Sequence, residues 1–405
     1  MSIPAQGIDL LSVLLIIFLG RTLGYIFSRF GFQSLVGEVL GGIILSPLVL
    51  SLITPNATLE VFSFFGIIML MVLSGLLTNF TLFSKQKFQS FTIAFFGVVV
   101  SMVLVICVLL PFNVPLIAII FTAILLSNSA IEVCTKIMME RMPDGKTYAT
   151  IVGASFFDDI LAVFLIGIIT SAAFHTFSPM DLGINVVIVG LFLLISLYII
   201  PIIFEKIKIL DRALLKRGKE EKILLTFTIL FSLGMALAAK LAGLSEVIGA
   251  YVGGLVIGKW ASKVGPMLKR RIAYEHLLRD IQPVVIAIFS PLFFGYIGVI
   301  LGGIIASEGI SLTTIVIASL LSVAAIAGKI LGCGLGAKLS SYPKEDSLLI
   351  GTAMIGRGAL EMVLVNLAYL AGIISAELFV AIVIATLVTV ISAPILYAKV
   401  HEKYF

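Results

Sequence analysis

Residues Gly153-Ala154-Ser155-Phe156-Phe157-Asp158-Asp159-Ile160-Leu161-Ala162 place two adjacent carboxylates inside a run, from about Tyr148 to Ile169, that is otherwise almost wholly apolar. A charged aspartate near a bilayer centre costs roughly 2.5 to 3.5 kcal/mol on insertion scales. Packing alone does not call for that residue, still less for two in succession. An ionisable side chain at such a depth reads as an ion or proton site whose partner lies elsewhere in the chain.

The surrounding composition gives the run its setting. Of 405 residues, 60% are hydrophobic and 12% charged, against about 45–50% and roughly 25% in water-soluble domains. A soluble fold is excluded. At about 20 residues per span, membrane helices fill the chain and leave no room for a separate soluble domain. Cys107, Cys134 and Cys333 all lie in apolar helical runs, so neither a disulfide framework nor a zinc site is indicated. No cofactor is expected, and no enzyme activity. No basic region precedes the first apolar run, which argues against a cleavable signal peptide.

The pattern predicts an all-α polytopic protein of thirteen spans, at 9–28, 34–53, 60–79, 90–110, 115–137, 148–170, 183–204, 223–241, 245–259, 282–304, 312–337, 348–371 and 376–398. Basic residues test the count. With the amino terminus outside, Arg21, Lys240, Lys329 and Arg357 of the 27 lysines and arginines fall well within spans, and the others, with Lys136 and Lys259 at the very ends of theirs, go to the inside. The positive-inside rule thus places the carboxyl terminus in the cytoplasm, and the plasma membrane is the expected location. The net charge of +5 is accounted for by topology and lipid contact rather than by nucleic acid.

Two stretches echo each other: Gly37-Glu38-Val39-Leu40-Gly41-Gly42 and Ser245-Glu246-Val247-Ile248-Gly249-Ala250. They open spans two and nine, an odd number apart, so they enter the membrane from opposite sides. Inverted repeats of this kind mark secondary transporters. Spans five and twelve correspond under the same offset, and both are unusual. Span five holds Leu126-Ser127-Asn128-Ser129-Ala130-Ile131-Glu132; span twelve holds Gly351-Thr352-Ala353-Met354-Ile355-Gly356-Arg357-Gly358-Ala359-Leu360-Glu361. Serine and asparagine compete for backbone hydrogen bonds and glycine weakens a helix, so both read as broken helices aiming half-helix ends at a central site. The small residues alone would equally suit close helix packing.

Adjacent helical residues point about 100° apart, so Asp158 and Asp159 have different partners. Ser155 lies one turn before Asp159 on the same face, where its hydroxyl can add an oxygen. Carboxylate, hydroxyl, broken-helix carbonyls and water suit a small alkali cation, with Asn128 and Ser129 as further ligands. Lys329, alone in span eleven, relieves its own burial by pairing with Asp158, either as a proton-coupled partner or as a static tie. Arg357 needs an anion, for which Glu132 and Glu361 are the candidates.

These residues carry a resemblance. The chain resembles the cation:proton antiporter superfamily, in particular its electrogenic paired-aspartate (NapA-type) Na⁺/H⁺ antiporters beside the Kef-type branch. The similar features are Asp158-Asp159, Lys329 within Gly-Lys-Ile-Leu-Gly, Gly356-Arg357-Gly358 and the Gly37–Gly42 stretch. Where related chains often read Arg-Gly-Glu, Ala359 stands here and the acid comes at Glu361. The resemblance implies a homodimer in which spans five and twelve cross at mid-membrane. It implies a six-helix core at about 88–172 and 310–400, a dimerisation part at about 1–85 and 222–305, and a linker helix at about 183–205. Na⁺ (or Li⁺) and H⁺ would compete for Asp159 and Asp158 in elevator-type alternating access.

Other classes fit less well. An intramembrane aspartyl protease needs its two acids on different helices, and a passive cation channel would ring a continuous pore with polar groups. A sodium-coupled carrier of an organic anion does not account for the paired Asp with Lys329. K⁺/H⁺ exchange of the Kef type is the nearer rival, since ligand type does not separate the two ions. For the topology, a tag at Phe405 is expected to be reached only from the cytoplasm and one in the loop before Pro179 only from outside. Accessibility of both from one side in intact cells would remove the thirteen-span reading.

Overall fold

A computed structural model describes residues 5–78, 86–174, 179–206, 220–262 and 268–404, and these form helices and short connections. Phe405, the loop ahead of Pro179, Lys85 and the basic stretch after Lys206 lie outside the described residues. Nine helical stretches among the described residues are long and apolar enough to cross a membrane. Three shorter apolar helices join them: α2 (Ser34–Leu45), α5 (Leu116–Leu125) and α16 (Ala359–Leu370). The helices α1 (Ala5–Arg29), α3 (Ala57–Leu77), α4 (Lys87–Leu109), α6 (Ile131–Glu140), α7 (Gly145–Phe174), α8 (Pro179–Leu194) and α9 (Ile200–Lys206) complete the first half. The second half has α10 (Glu220–Leu241), α11 (Glu246–Ser262), α12 (Leu268–Val284), α13 (Ser290–Glu308), α14 (Leu312–Leu339), α15 (Lys344–Ala353) and α17 (Ala376–Tyr404).

Two predicted spans are each two helices. Span five is α5 and α6 with residues 126–130 between them; span twelve is α15 and α16 with 354–358 between. Span two is helical only to Leu45. There Ser46 precedes Pro47, which disfavours helical backbone, and its hydroxyl turns back to Ile43 O at 2.6 Å. Single-turn π segments at Ile195–Ile199 and Val285–Phe289 interrupt the helices on either side of them.

The chain divides into two compact units. One comprises 1–66, 86–162 and 287–405; the other comprises 67–85 and 163–286. In the first, α4 and α14 form an intimate pair. Both are inside-out by the standards of a soluble helix. On α4, Phe88, Phe91, Phe95, Val99 and Val103 face outward, while Ser90, Ala94, Gly97, Ser101 and Val105 are buried. Large apolar groups suit lipid, and small ones let backbones approach where no hydrophobic force drives helices together. Gly328, Gly332 and Gly336 repeat every four residues along one face of α14. A Cβ on them would stand 2.7 Å from Ser101 Cα, 2.5 Å from Phe96 O and 2.7 Å from Ile93 Cα respectively.

The two echo stretches make the same kind of contact, each in its own unit. Gly41 lies against Gly20 of α1, and Gly249 lies against Met235 and Ala236 of α10. Their acids differ. Glu38 is fully buried and accepts from Ser290 Oγ at 2.6 Å, whereas Glu246 is partly exposed and paired with Lys240 at 2.5 Å. In the second unit, Lys259 donates to Leu197 O at 2.6 Å, meeting a carbonyl in the π segment.

The α4–α14 seam leads to a direct expectation. Gly332→Leu should lower the thermal midpoint of the detergent-solubilised protein, an overpacking penalty of about 1–3 kcal/mol or more. Leu331→Ala, one residue away on the exposed side, should stay within about 0.5 kcal/mol. Equal midpoints for the two variants would show that the seam is not tightly packed.

Candidate ion-binding site

The site is assembled from α4, the part of α7 up to Ala162, α14 and the two helix breaks, all in the first unit. The breaks hold each other. Helix ends leave unpaired backbone groups, and none can be left bare in hydrocarbon. Arg357 Nη2 donates to Leu126 O, and Ser129 Oγ donates to Met354 O at 2.5 Å. Ala130 N donates to Gly356 O at 3.0 Å. Carbonyls freed in each break are thus met by donors of the other. Gly356 is needed for this approach, because a Cβ there would run into the Val133 side chain.

Helix α7 delivers both aspartates to that crossing. At its start, Asp144 accepts from Lys146 N and Thr147 N, each at 3.2 Å, and Thr150 Oγ1 shares a 2.6 Å hydrogen bond with Tyr342 OH. Nearby, outside the spans, partial burial with Asp144 and Glu345 alongside raises the Asp346 carboxyl above the usual carboxylate range, against the pull of Lys146.

Asp158 and Lys329 are both at 0% exposure, and Lys329 Nζ donates to Asp158 Oδ2. Gly97 of α4 makes the room. A Cβ at that position would stand 3.5 Å from Lys329 Nζ and 2.5 Å from Cys333 Sγ. Burying both charges is tolerable only because they are paired; removing one partner leaves an uncompensated charge worth about 3–5 kcal/mol. The second Asp158 oxygen, Oδ1, is buried without a hydrogen-bond donor of normal geometry among the described residues, with the Ser129 side chain beside the carboxylate.

Asp159 is 3% exposed. Its Oδ1 accepts from Asn128 Nδ2 at 3.2 Å, and the same nitrogen donates to Glu361 Oε1 at 3.0 Å. Asn128 Oδ1 is buried with no donor among the described residues. Glu361 Oε2 accepts from Gly358 N at 2.7 Å, which caps the first turn of α16.

Eight of the nine residues singled out in the sequence come together here. Asp158, Asp159, Asn128, Ser129, Ser155, Lys329, Arg357 and Glu361 are all buried around the crossing. The ninth, Glu132, lies in α6, and its side chain is outside the described residues. Ser155 donates to Met354 Sδ at 3.2 Å. Arg357 donates its hydrogen bond to the Leu126 carbonyl, with Nε and Nη1 given no hydrogen-bond acceptor among the described residues, and of the two candidate anions Glu361 is the first of the charges that act on it. Met354 was quoted only as part of a weak helix; its carbonyl and sulfur both contact site residues, for which its side-chain type offered no signal. Gly97 likewise carried no mark of its contact with Lys329.

Chemically, the arrangement offers hard oxygens in a buried setting. Two of them, Asp158 Oδ1 and Asn128 Oδ1, are buried and lack a hydrogen bond of normal geometry among the described residues, and a buried oxygen left so is costly unless something visits it.

Known proteins resemble the chain along nearly its whole length. The family described as "Sodium/hydrogen exchanger, transmembrane" matches residues 14–400. A Na⁺/H⁺ antiporter of Enterococcus hirae is 26% identical over 403 residues, covering 98% of this chain and 99% of the relative. The Na⁺/H⁺-K⁺ antiporter GerN of Bacillus cereus is 25% identical over 385 residues, covering 94% and 93%. Among solved structures, the sodium proton antiporter MjNhaP1 of Methanocaldococcus jannaschii shares the fold with a TM-score of 0.71 at 17% identity, with 98% of each chain covered. This multi-pass membrane chain belongs to the sodium/hydrogen exchanger family.

Proposed function

We propose that the protein exchanges Na⁺, and also Li⁺, for H⁺ across the plasma membrane, as a member of the paired-aspartate branch. The observation that carries this reading is the buried Lys329–Asp158 pair beside Asp159, with oxygens of Asp158 and Asn128 left without donors among the described residues. Asp159, Asp158, Asn128, Ser129 and Ser155 form the ion and proton site. Glu132, Arg357 and Glu361 are a charge network that neutralises the broken helices. The names of the curated relatives support sodium as the cation.

The working cycle follows from competition. Asp159 binds either a proton or a cation, so one is carried at a time. When a cation enters, its charge competes with Lys329 for the carboxylates, because a nearby positive charge favours the ionised acid. Lys329 then releases its own proton. Two protons leave for each cation, and transport is electrogenic. Thirteen spans in two inverted repeats place the site at the repeat interface. A core at about 88–172 and 310–400 moves against a dimerisation part at about 1–85 and 222–305, with the linker at about 183–205. The assembly is a homodimer, with its amino terminus outside and its carboxyl terminus in the cytoplasm.

Proton flux in proteoliposomes given Na⁺, Li⁺ and K⁺ in turn tests the exchange. The wild type should respond to Na⁺ and Li⁺, while Asp159→Asn should insert normally and show no cation-dependent proton movement. Substantial exchange in that variant would move the site elsewhere, a response to K⁺ alone would change the cation, and flux with no counter-ion would indicate a channel.

Charge movement on a supported membrane tests the role of Lys329. The wild type should give a sodium-driven current, and Lys329→Gln should lose it while still exchanging. Exchange without current in the wild type would leave Lys329 as a helix tie.

A further inference from the structure

The Asn128 carboxamide commits its nitrogen to two carboxylates at once, Asp159 Oδ1 at 3.2 Å and Glu361 Oε1 at 3.0 Å. Glu361 is itself held, because its other oxygen accepts from Gly358 N at 2.7 Å. An ionised carboxylate accepts hydrogen bonds and donates none, so Glu361 dictates which end of the Asn128 amide faces it. The nitrogen is turned toward both acids. The oxygen is therefore turned away from them, and it is buried with no donor among the described residues.

Asp159 alone does not enforce that orientation. Once protonated, it carries an O–H that an amide oxygen accepts. Asn128 rotated about its last side-chain bond would then satisfy the proton and withdraw its oxygen from an incoming cation. The hydrogen bond to Glu361 opposes this rotation, because rotation would set an amide oxygen against a carboxylate oxygen.

We infer that Glu361 is a positioning residue that keeps the Asn128 oxygen available to the cation in both protonation states of Asp159, and so sets how strongly protons compete. The inference rests on Asp159 being the carrier proposed above. Among the described residues, the other charged or titratable groups around this centre are Asp158, Lys329 and Arg357, with the thiols of Cys134 and Cys333. None of these meets the Asn128 amide directly in the way Glu361 does.

Glu361→Gln is the discriminating change. Its oxygen still accepts from Gly358 N, so the helix cap survives, but its NH₂ now favours the flipped Asn128. Sodium-dependent proton flux of the full-length protein in proteoliposomes is measured at about pH 6.5 and about pH 8.5, on either side of a neutral working range. The apparent KM for Na⁺ should rise about tenfold at the lower pH, the worth of roughly one hydrogen bond. It should rise much less at the higher pH, with the change falling on KM rather than on the maximal rate. A purely structural role would not steepen the pH dependence. Parallel pH dependences in wild type and variant would overturn the inference. In an Asn128→Ala background, Glu361→Gln should add no further shift, because both changes act through one amide; an additive shift would also overturn it. Should Glu361→Gln fail to fold, Asn128→Ala with a wild-type pH dependence of KM would do the same. Exchange surviving in Asp159→Asn would instead remove the underlying site.

Discussion

A bilayer supplies no water to an interrupted helix, and this constraint shapes the centre of the molecule. Every freed backbone group has to be met from within the protein. The breaks at 126–130 and 354–358 meet the demand reciprocally: Arg357 on Leu126 O, Ser129 on Met354 O and Ala130 N on Gly356 O. Neither break would be tolerable alone. Because the two are locked together, polar atoms can be presented at depth. The aspartates of α7 and the lysine of α14 are brought to a place already made polar by backbone.

The second dependence is steric. Lys329 is a long side chain at 0% exposure on a helix that packs through glycines. Its ammonium reaches Asp158 because α4 presents Gly97 where any side chain would press on Cys333 and approach Lys329. On α4 the large residues face outward and the small ones inward, and the charged pair is fully enclosed by protein. That enclosure keeps the local dielectric low, and in such a setting pairing matters most.

Charge in an apolar run is conspicuous, so Asp158, Asp159 and Lys329 were legible from the sequence, as was the polar interruption around Asn128. The break at Gly356–Gly358 was legible through the arginine at its centre rather than through its glycines, which equally suit close helix packing. Contacts made by backbone were not. Arg357 prompted a search for an acid, and Glu361 is the first of the charges that act on it; its hydrogen bond to the Leu126 carbonyl, which every residue type possesses, left no mark in the sequence. Ser155 lies one turn before Asp159, but side-chain spacing did not disclose that its hydroxyl donates to Met354 Sδ. The echo at Glu38 and Glu246 was visible, and the close contacts at Gly41 and Gly249 follow it. The different surroundings of the two acids were not visible, because they arise from Ser290 on one side and Lys240 on the other.

The reciprocal breaks also bear on how the chain is made. Leu126 O and its donor Arg357 are 231 residues apart, so the ribosome finishes the first break long before the second exists. At about 5–20 residues per second, that gap lasts on the order of ten seconds or more. Throughout it, the α5–α6 segment holds backbone groups that hydrocarbon does not satisfy. The segment must wait at a hydrated boundary, whether at the membrane surface or within the insertion machinery, until α15 and α16 arrive. Assembly of the centre is thus a late, post-insertional event, and a chain truncated before Met354 would expose its unfinished half to quality control.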